Sequence, residues 1–90
     1  FFFKNGKLVV MDCSVRADPA PTIVWYHGQK IVEKSSKVTI SIEKKEEIYY
    51  IRLELKDPNK TDSGLYKCNI KNQYGELNAN LTLNVESLYP

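Results

Sequence analysis

Reactive and metal-binding side chains are scarce in this 90-residue chain, which holds two cysteines and one histidine. That set cannot fill a four-ligand structural zinc site without carboxylate help. A surplus of one charge is missing as well. Thirteen basic residues face 11 acidic ones, a net +2 that is too small to argue for nucleic acid as a partner. The densest charged run, "EKKEE" at 43–47, neutralises itself and reads as a solvated turn. No apolar run approaches membrane-spanning length; "LVVM" at 8–11 is typical of the longest, so no membrane partner is expected. "FFF" at the start is too short for a signal peptide, and the chain reads as an excised module. With 42% hydrophobic and 27% charged residues, the composition is that of one folded domain with a modest core.

What the sequence does have is alternation with period two. Six segments carry it: 9–15, 23–27, 38–42, 49–55, 66–70 and 77–85. In the fourth, Tyr49, Ile51, Leu53 and Leu55 alternate with Tyr50, Arg52 and Glu54. None sustains a 3.6-residue period, so these are half-buried antiparallel strands. Turn chemistry separates them. "RADPAPT" (16–22) carries two prolines, and "YHGQK" (26–30) offers Gly28 for a tight turn. "KDPNKTDSG" (56–64) has the composition for one helical turn. "KNQYGE" (71–76) places Gly75 where a hairpin is expected to need positive φ. Short strands with regular turns mean an all-β sandwich or small barrel.

Four separated residues select the sandwich. Trp25 follows Cys13 by 12 positions, Cys68 follows Cys13 by 55, and Tyr66 stands two before Cys68. This order matches the immunoglobulin-like β-sandwich, two antiparallel sheets with Greek-key connections. There, cysteines on strands B and F bridge the sheets, a Trp on strand C packs on them and a tyrosine corner pins the E–F bend.

On "DCSVRADPAPTIVWY", the Leu53–Leu55 pair, "DSGLYKC" and "NQYG" with its alternating last strand, the chain resembles an I-set immunoglobulin module. The resemblance covers residues 6–85. It is nearest the modules of the giant muscle proteins twitchin and titin, and "YKCNIKNQYGELNANLTLNVE" is particularly similar to nematode-type twitchin. "FFFKNGK" departs from the family by lacking a proline-containing start, so a clipped, short or displaced first strand is expected. The domain is expected to span 1–86, with 87–90 as a linker.

The resemblance assigns structural roles to residues that otherwise look like chemistry. Asp62 would sit at the E–F bend and pair with Lys34 or Lys37 rather than act as a catalytic acid. Gly64 would let the chain enter strand F, and Tyr66 would form the corner. Ser63 has no nucleophile elbow and no histidine placed near it, and reads as a turn residue. His27, at a strand end, reads as a surface residue. Cys68, inward-facing between Tyr66 and Ile70, lacks the exposure and positive surroundings of a reactive thiolate. Bridged to Cys13, it would close a long loop and contribute about 4 kcal/mol in the chain-entropy model. A reducing muscle cytoplasm implies free thiols instead. "DPNKTDSG" fails as an EF-hand, because its sixth position is Asp62 and its twelfth Cys68. Asn59 and Asn80 fit the glycosylation pattern, which matters for a secreted parent.

No catalytic residue, cofactor, metal or small-molecule substrate is expected. Partner contacts are expected at Tyr74, in a loop pole formed by "ADPAP", "EKKEE" and "NQYG", and at the outward-pointing Tyr26, Tyr50 and Arg52. The implied function is a load-bearing spacer and docking module in a tandem array of a cytoplasmic sarcomeric protein. Neighbouring immunoglobulin, fibronectin or kinase domains and thick-filament proteins would be its partners. The alternative is an extracellular adhesion or receptor module. The strand pattern offers no pocket for an enzyme.

Overall fold

A computed structural model of the chain describes residues 2–4 and 8–85. The expected linker at 87–90 and the segment 5–7 lie outside the described residues. Eight strands form among the described residues: β1 (Phe2–Lys4), β2 (Leu8–Arg16), β3 (Thr22–His27), β4 (Lys30–Ile31), β5 (Val38–Lys45), β6 (Ile48–Lys56), β7 (Gly64–Asn72) and β8 (Gly75–Leu83). They build two four-stranded sheets, ordered β1-β2-β6-β5 and β4-β3-β7-β8, with every pairing antiparallel.

The alternating side chains meet between the sheets. Val9, Met11, Ile51, Leu53 and Leu55 from one sheet pack with Trp25, Tyr66, Cys68, Ile70 and Leu83 from the other. Leu53 is 0% exposed, lying between Met11 on β2 and Ile40 on β5 in the strand register. Val10 should face solvent by alternation, yet it is 8% exposed. The strand β1, three residues long, lies alongside β2 at that point, with Phe3 opposite Val10.

Several local expectations change. Gly75 is not a left-handed residue; the described glycines with positive φ are Gly28 (62°) and Gly64 (130°). Gly75 opens β8 opposite Asn72, and the Asn72 side chain holds the bend by accepting from the Tyr74 N–H at 2.9 Å. "EKKEE" is only partly a turn, because Glu43–Lys45 extend β5 and the reversal falls on Glu46 and Glu47. Glu46 takes φ 59° there, a conformation that costs a non-glycine residue about 1–2 kcal/mol. The two-residue β4 escapes a periodicity reading, being shorter than any pattern.

Candidate functional site

The "KDPNKTDSG" bend joins β6 to β7 and contains a 3-10 turn, Lys60–Asp62. Asn59 caps it. Its side-chain oxygen accepts from the Thr61 N–H at 3.0 Å and from the Thr61 hydroxyl, while the Asp62 carboxylate accepts from the Asn59 N–H at 2.8 Å. This reciprocal box satisfies donors that a short helical turn leaves unpaired. The same carboxylate receives Lys37 Nζ at 2.8 Å, so of the two candidate lysines it is Lys37 that pairs. Behind the bend, Tyr66 is 3% exposed and its Oη donates to the Asp62 carbonyl at 2.7 Å.

His27 is not a surface residue. Its ring stacks on Tyr66 with centroids 4.4 Å apart and planes 4° from parallel. Its Nε2 lies 2.8 Å from the Ser63 carbonyl oxygen, an acceptor, so Nε2 carries the proton. The signal was present in the alternation: His27 stands two residues after Trp25 and shares its inward face. The fold thus brings the histidine beside Ser63, where the strand pattern placed none. It meets the backbone, however, and Ser63 Oγ accepts from the Val85 N–H at 2.9 Å. A protonated Nε2 on a carbonyl is a latch, and it cannot serve as a base toward that hydroxyl.

Burial first, and the Asp62 carboxylate second, push the Tyr66 phenol up to about 12. Its folded pKa is then above its unfolded value near 10. The associated stability is complete below pH ~10 and is lost as pH rises toward 12, because the unfolded chain ionises first. Tyr66→Phe is expected to cost about 1–2 kcal/mol at neutral pH by removing a buried hydrogen bond. It should also remove part of the stability loss between pH 10 and 12. Urea midpoints of both proteins across that range check both effects.

Cys13 and Cys68 are free thiols, Cys68 fully buried and Cys13 half-buried. Trp25, 5% exposed, is the direct neighbour of Cys68 across the β3–β7 pairing.

The outer faces carry the expected contact residues apart from one another. On β6, Arg52 grips Asp12 with two bonds, Nε to Oδ1 at 2.7 Å and Nη2 to Oδ2 at 3.0 Å. Glu54 is 3.7 Å from the same guanidinium. The hydrogen bonds from Arg52 to Asp12 come first in holding its pKa above the ordinary value, so this cation is committed within its own sheet. Tyr50, 44% exposed, lies one row away between Ser14 and Glu43. These residues border a depression of about 500 Å³. On the other sheet, Lys67 Nζ sits 4.9 Å from the Tyr26 ring centroid and partly covers it.

Tyr74 is 77% exposed at the loop pole. There the Ala17 N–H donates to the Glu47 carbonyl at 3.0 Å, and Asn72 Nδ2 to the Pro19 carbonyl at 3.1 Å, so the three loops form one connected surface. Tyr74 and Gly75 border its 370 Å³ depression. No group of three His, Cys, Asp or Glu side chains converges as a metal cage among the described residues. What is assembled is a pinned bend at one pole and an exposed aromatic at the other.

Comparison with known proteins agrees with this architecture. The immunoglobulin I-set domain profile matches residues 2–85. Human myomesin-2 is 29% identical over 81 residues, covering 90% of the chain and 5% of that protein. Zebrafish (Danio rerio) contactin-1a is 33% identical over 82 residues, covering 91% of the chain and 7% of that protein. The chain therefore spans only a small part of these curated relatives. The solved structure of titin M4 superposes with a TM-score of 0.78 at 27% identity, covering 90% of this chain and 80% of that one.

Proposed function

The chain belongs to the immunoglobulin I-set family, and from that premise we propose that it is a non-catalytic, load-bearing spacer and docking module of a giant sarcomeric protein. One observation carries the reading. The chain leaves the sandwich at the pole opposite its loop cluster: β8 ends at Leu83 beside Gly64, and Val85 is tied to Ser63 at the bend. β1 runs antiparallel to β2 in the register Lys4↔Val9 to Phe2↔Met11, so its first residue lies nearer the loop pole. Tension between the two ends runs along the strands. It loads the nine-residue ladder of β7 and β8 in shear, where many hydrogen bonds must fail together.

Likeness to myomesin-2 and to titin M4 supports the muscle assignment and a cytoplasmic place in the sarcomere. In this reading the loop pole with Tyr74 meets the preceding domain, and residues 87–90 lead to the next. Neighbours of immunoglobulin, fibronectin or kinase type, and thick-filament proteins, are the proposed partners. Tyr50 on one face and Tyr26 on the other are the lateral contacts. Arg52 shapes its face while gripping Asp12.

The likeness to contactin-1a favours a second reading, an extracellular adhesion module. Intact mass of the protein isolated from its source separates them. The muscle reading expects no hexose at Asn59 or Asn80. Glycan together with the loss of two hydrogens for a Cys13–Cys68 bridge would overturn it.

A further inference from the structure

The single tryptophan carries a polar atom that the fold leaves unanswered. Trp25 is 5% exposed, and its indole Nε1–H is buried with no hydrogen-bond partner among the described residues. Buried indoles usually find an acceptor, so an orphan donor calls for an explanation. Trp25 borders a cavity of about 180 Å³ at the open seam where β2 and β8 face each other from different sheets. It borders neither the 500 Å³ nor the 370 Å³ depression.

Met11, Ala79 and Leu81 give this cavity apolar walls. Asp12 and Asn80 border it as well, but alternation turns both side chains to the outer faces, and Asp12 is held there by Arg52 at 2.7 Å. The Cys13 thiol, also at the cavity, is engaged with Cys68. The interior is therefore apolar beside one donor. A water would find fewer than the two to four partners that hold it when buried. An anion would meet the Asp12 charge nearby, and a cation would lose its hydration for a donor that repels it.

We propose that the cavity is a binding site for a compact neutral molecule, whose apolar body fills the seam and whose single acceptor oxygen takes the Trp25 N–H. Size sets the class. An apolar cavity of about 150 Å³ holds a benzene-sized ring, and drug-sized ligands need about 300 Å³ or more. The ligand is thus one small ring or a short branched chain bearing a carbonyl or ether. Ala79 leaves the room for it, as the small residue between Leu77 and Leu81 on the inward face of β8. A molecule seated there touches Met11 on β2 and Leu81 on β8, joins the two sheets and stabilises the folded state by mass action. This site goes beyond the proposed mechanical role, so its failure would leave that role standing.

The test uses the folded, nitrogen-15-labelled protein, in which the one tryptophan gives one indole N–H resonance. Cyclohexanone, a small ring with one carbonyl, should move that proton downfield along a saturable curve. The dissociation constant should be about 0.1–10 mM, the range open to so small a ligand. Methylenecyclohexane has the same shape and no acceptor, and should give no downfield shift. Cyclohexanone should also raise the urea midpoint. Ala79→Leu fills the cavity from β8 and should weaken cyclohexanone binding at least about tenfold. If that variant does not fold, the two titrations of the natural chain decide. No saturable shift below about 50 mM cyclohexanone, the same shift with both probes, or undiminished binding to folded Ala79→Leu would each overturn the proposal.

Discussion

Gly64→Ala is expected to destabilise the fold by about 2–4 kcal/mol, far beyond the usual cost of adding one methyl group. Two independent penalties combine. Gly64 has φ 130°, a region closed to residues with a Cβ. An added Cβ would also lie 3.1 Å from His27 Nε2 and 3.5 Å from its Cδ2. The ring cannot retreat freely, because it is stacked on Tyr66 and donating to the Ser63 carbonyl. Displacing it would loosen the corner and the bend together. Gly28 supplies the control. It has φ 62° but nothing within 4 Å of its added Cβ, so Gly28→Ala should cost only about 1–2 kcal/mol. Chemical denaturation of both variants separates the conformational term from the steric one. A Gly64→Ala cost no larger than that of Gly28→Ala would mean the histidine latch is not tight.

Leu53→Ala is expected to cost about 2–5 kcal/mol through lost burial and the cavity left behind. Its side chain is 0% exposed at the centre of the core, held by strands on both sides. Against a total stability of about 5–15 kcal/mol, this brings the domain close to unfolding. Leu77→Ala makes the contrast. Leu77 lies on the same inward face of its strand by alternation yet is 59% exposed, so its replacement should change stability by less than about 0.5 kcal/mol. Thermal or urea unfolding of the pair tests whether depth, rather than face, decides the cost.

That contrast marks how far the chain was readable without coordinates. Alternation names the face a residue takes, and it placed Leu53, Tyr66, Cys68 and Trp25 toward the core. It cannot give depth. Leu77 and Ile42, 59% and 50% exposed, point inward from edge strands β8 and β5, where the opposite sheet no longer covers them. Partly buried Cys13 is the same effect at the seam. His27 shows a signal that was present but outweighed: its parity with Trp25 pointed inward, while its place at the strand end suggested the surface. Only its distant partners, Ser63 and Tyr66, make an inward histidine affordable. Gly75 shows the converse, since a glycine at a hairpin suggests positive φ until the Asn72 side chain is seen to hold the turn. Among the proposed contact residues, the exposure of Tyr74 was readable from its loop. The commitment of Arg52 to Asp12 was not, because the pair is 40 residues apart and meets only through the β2–β6 register.

The proposed mechanical role is tested most directly by stretching the domain between identical handle domains fused to its two ends. Compared with it would be the same domain pulled crosswise through cysteine handles at Leu65 and Thr82, which face each other on β7 and β8, with the natural cysteines replaced by alanine in both proteins. End-to-end tension loads the ladder in shear and crosswise tension unzips it bond by bond. The account predicts a single all-or-none rupture end to end, at a force clearly above that of the crosswise pull. Gradual extension without a rupture peak, or rupture at no greater force than crosswise, would contradict it.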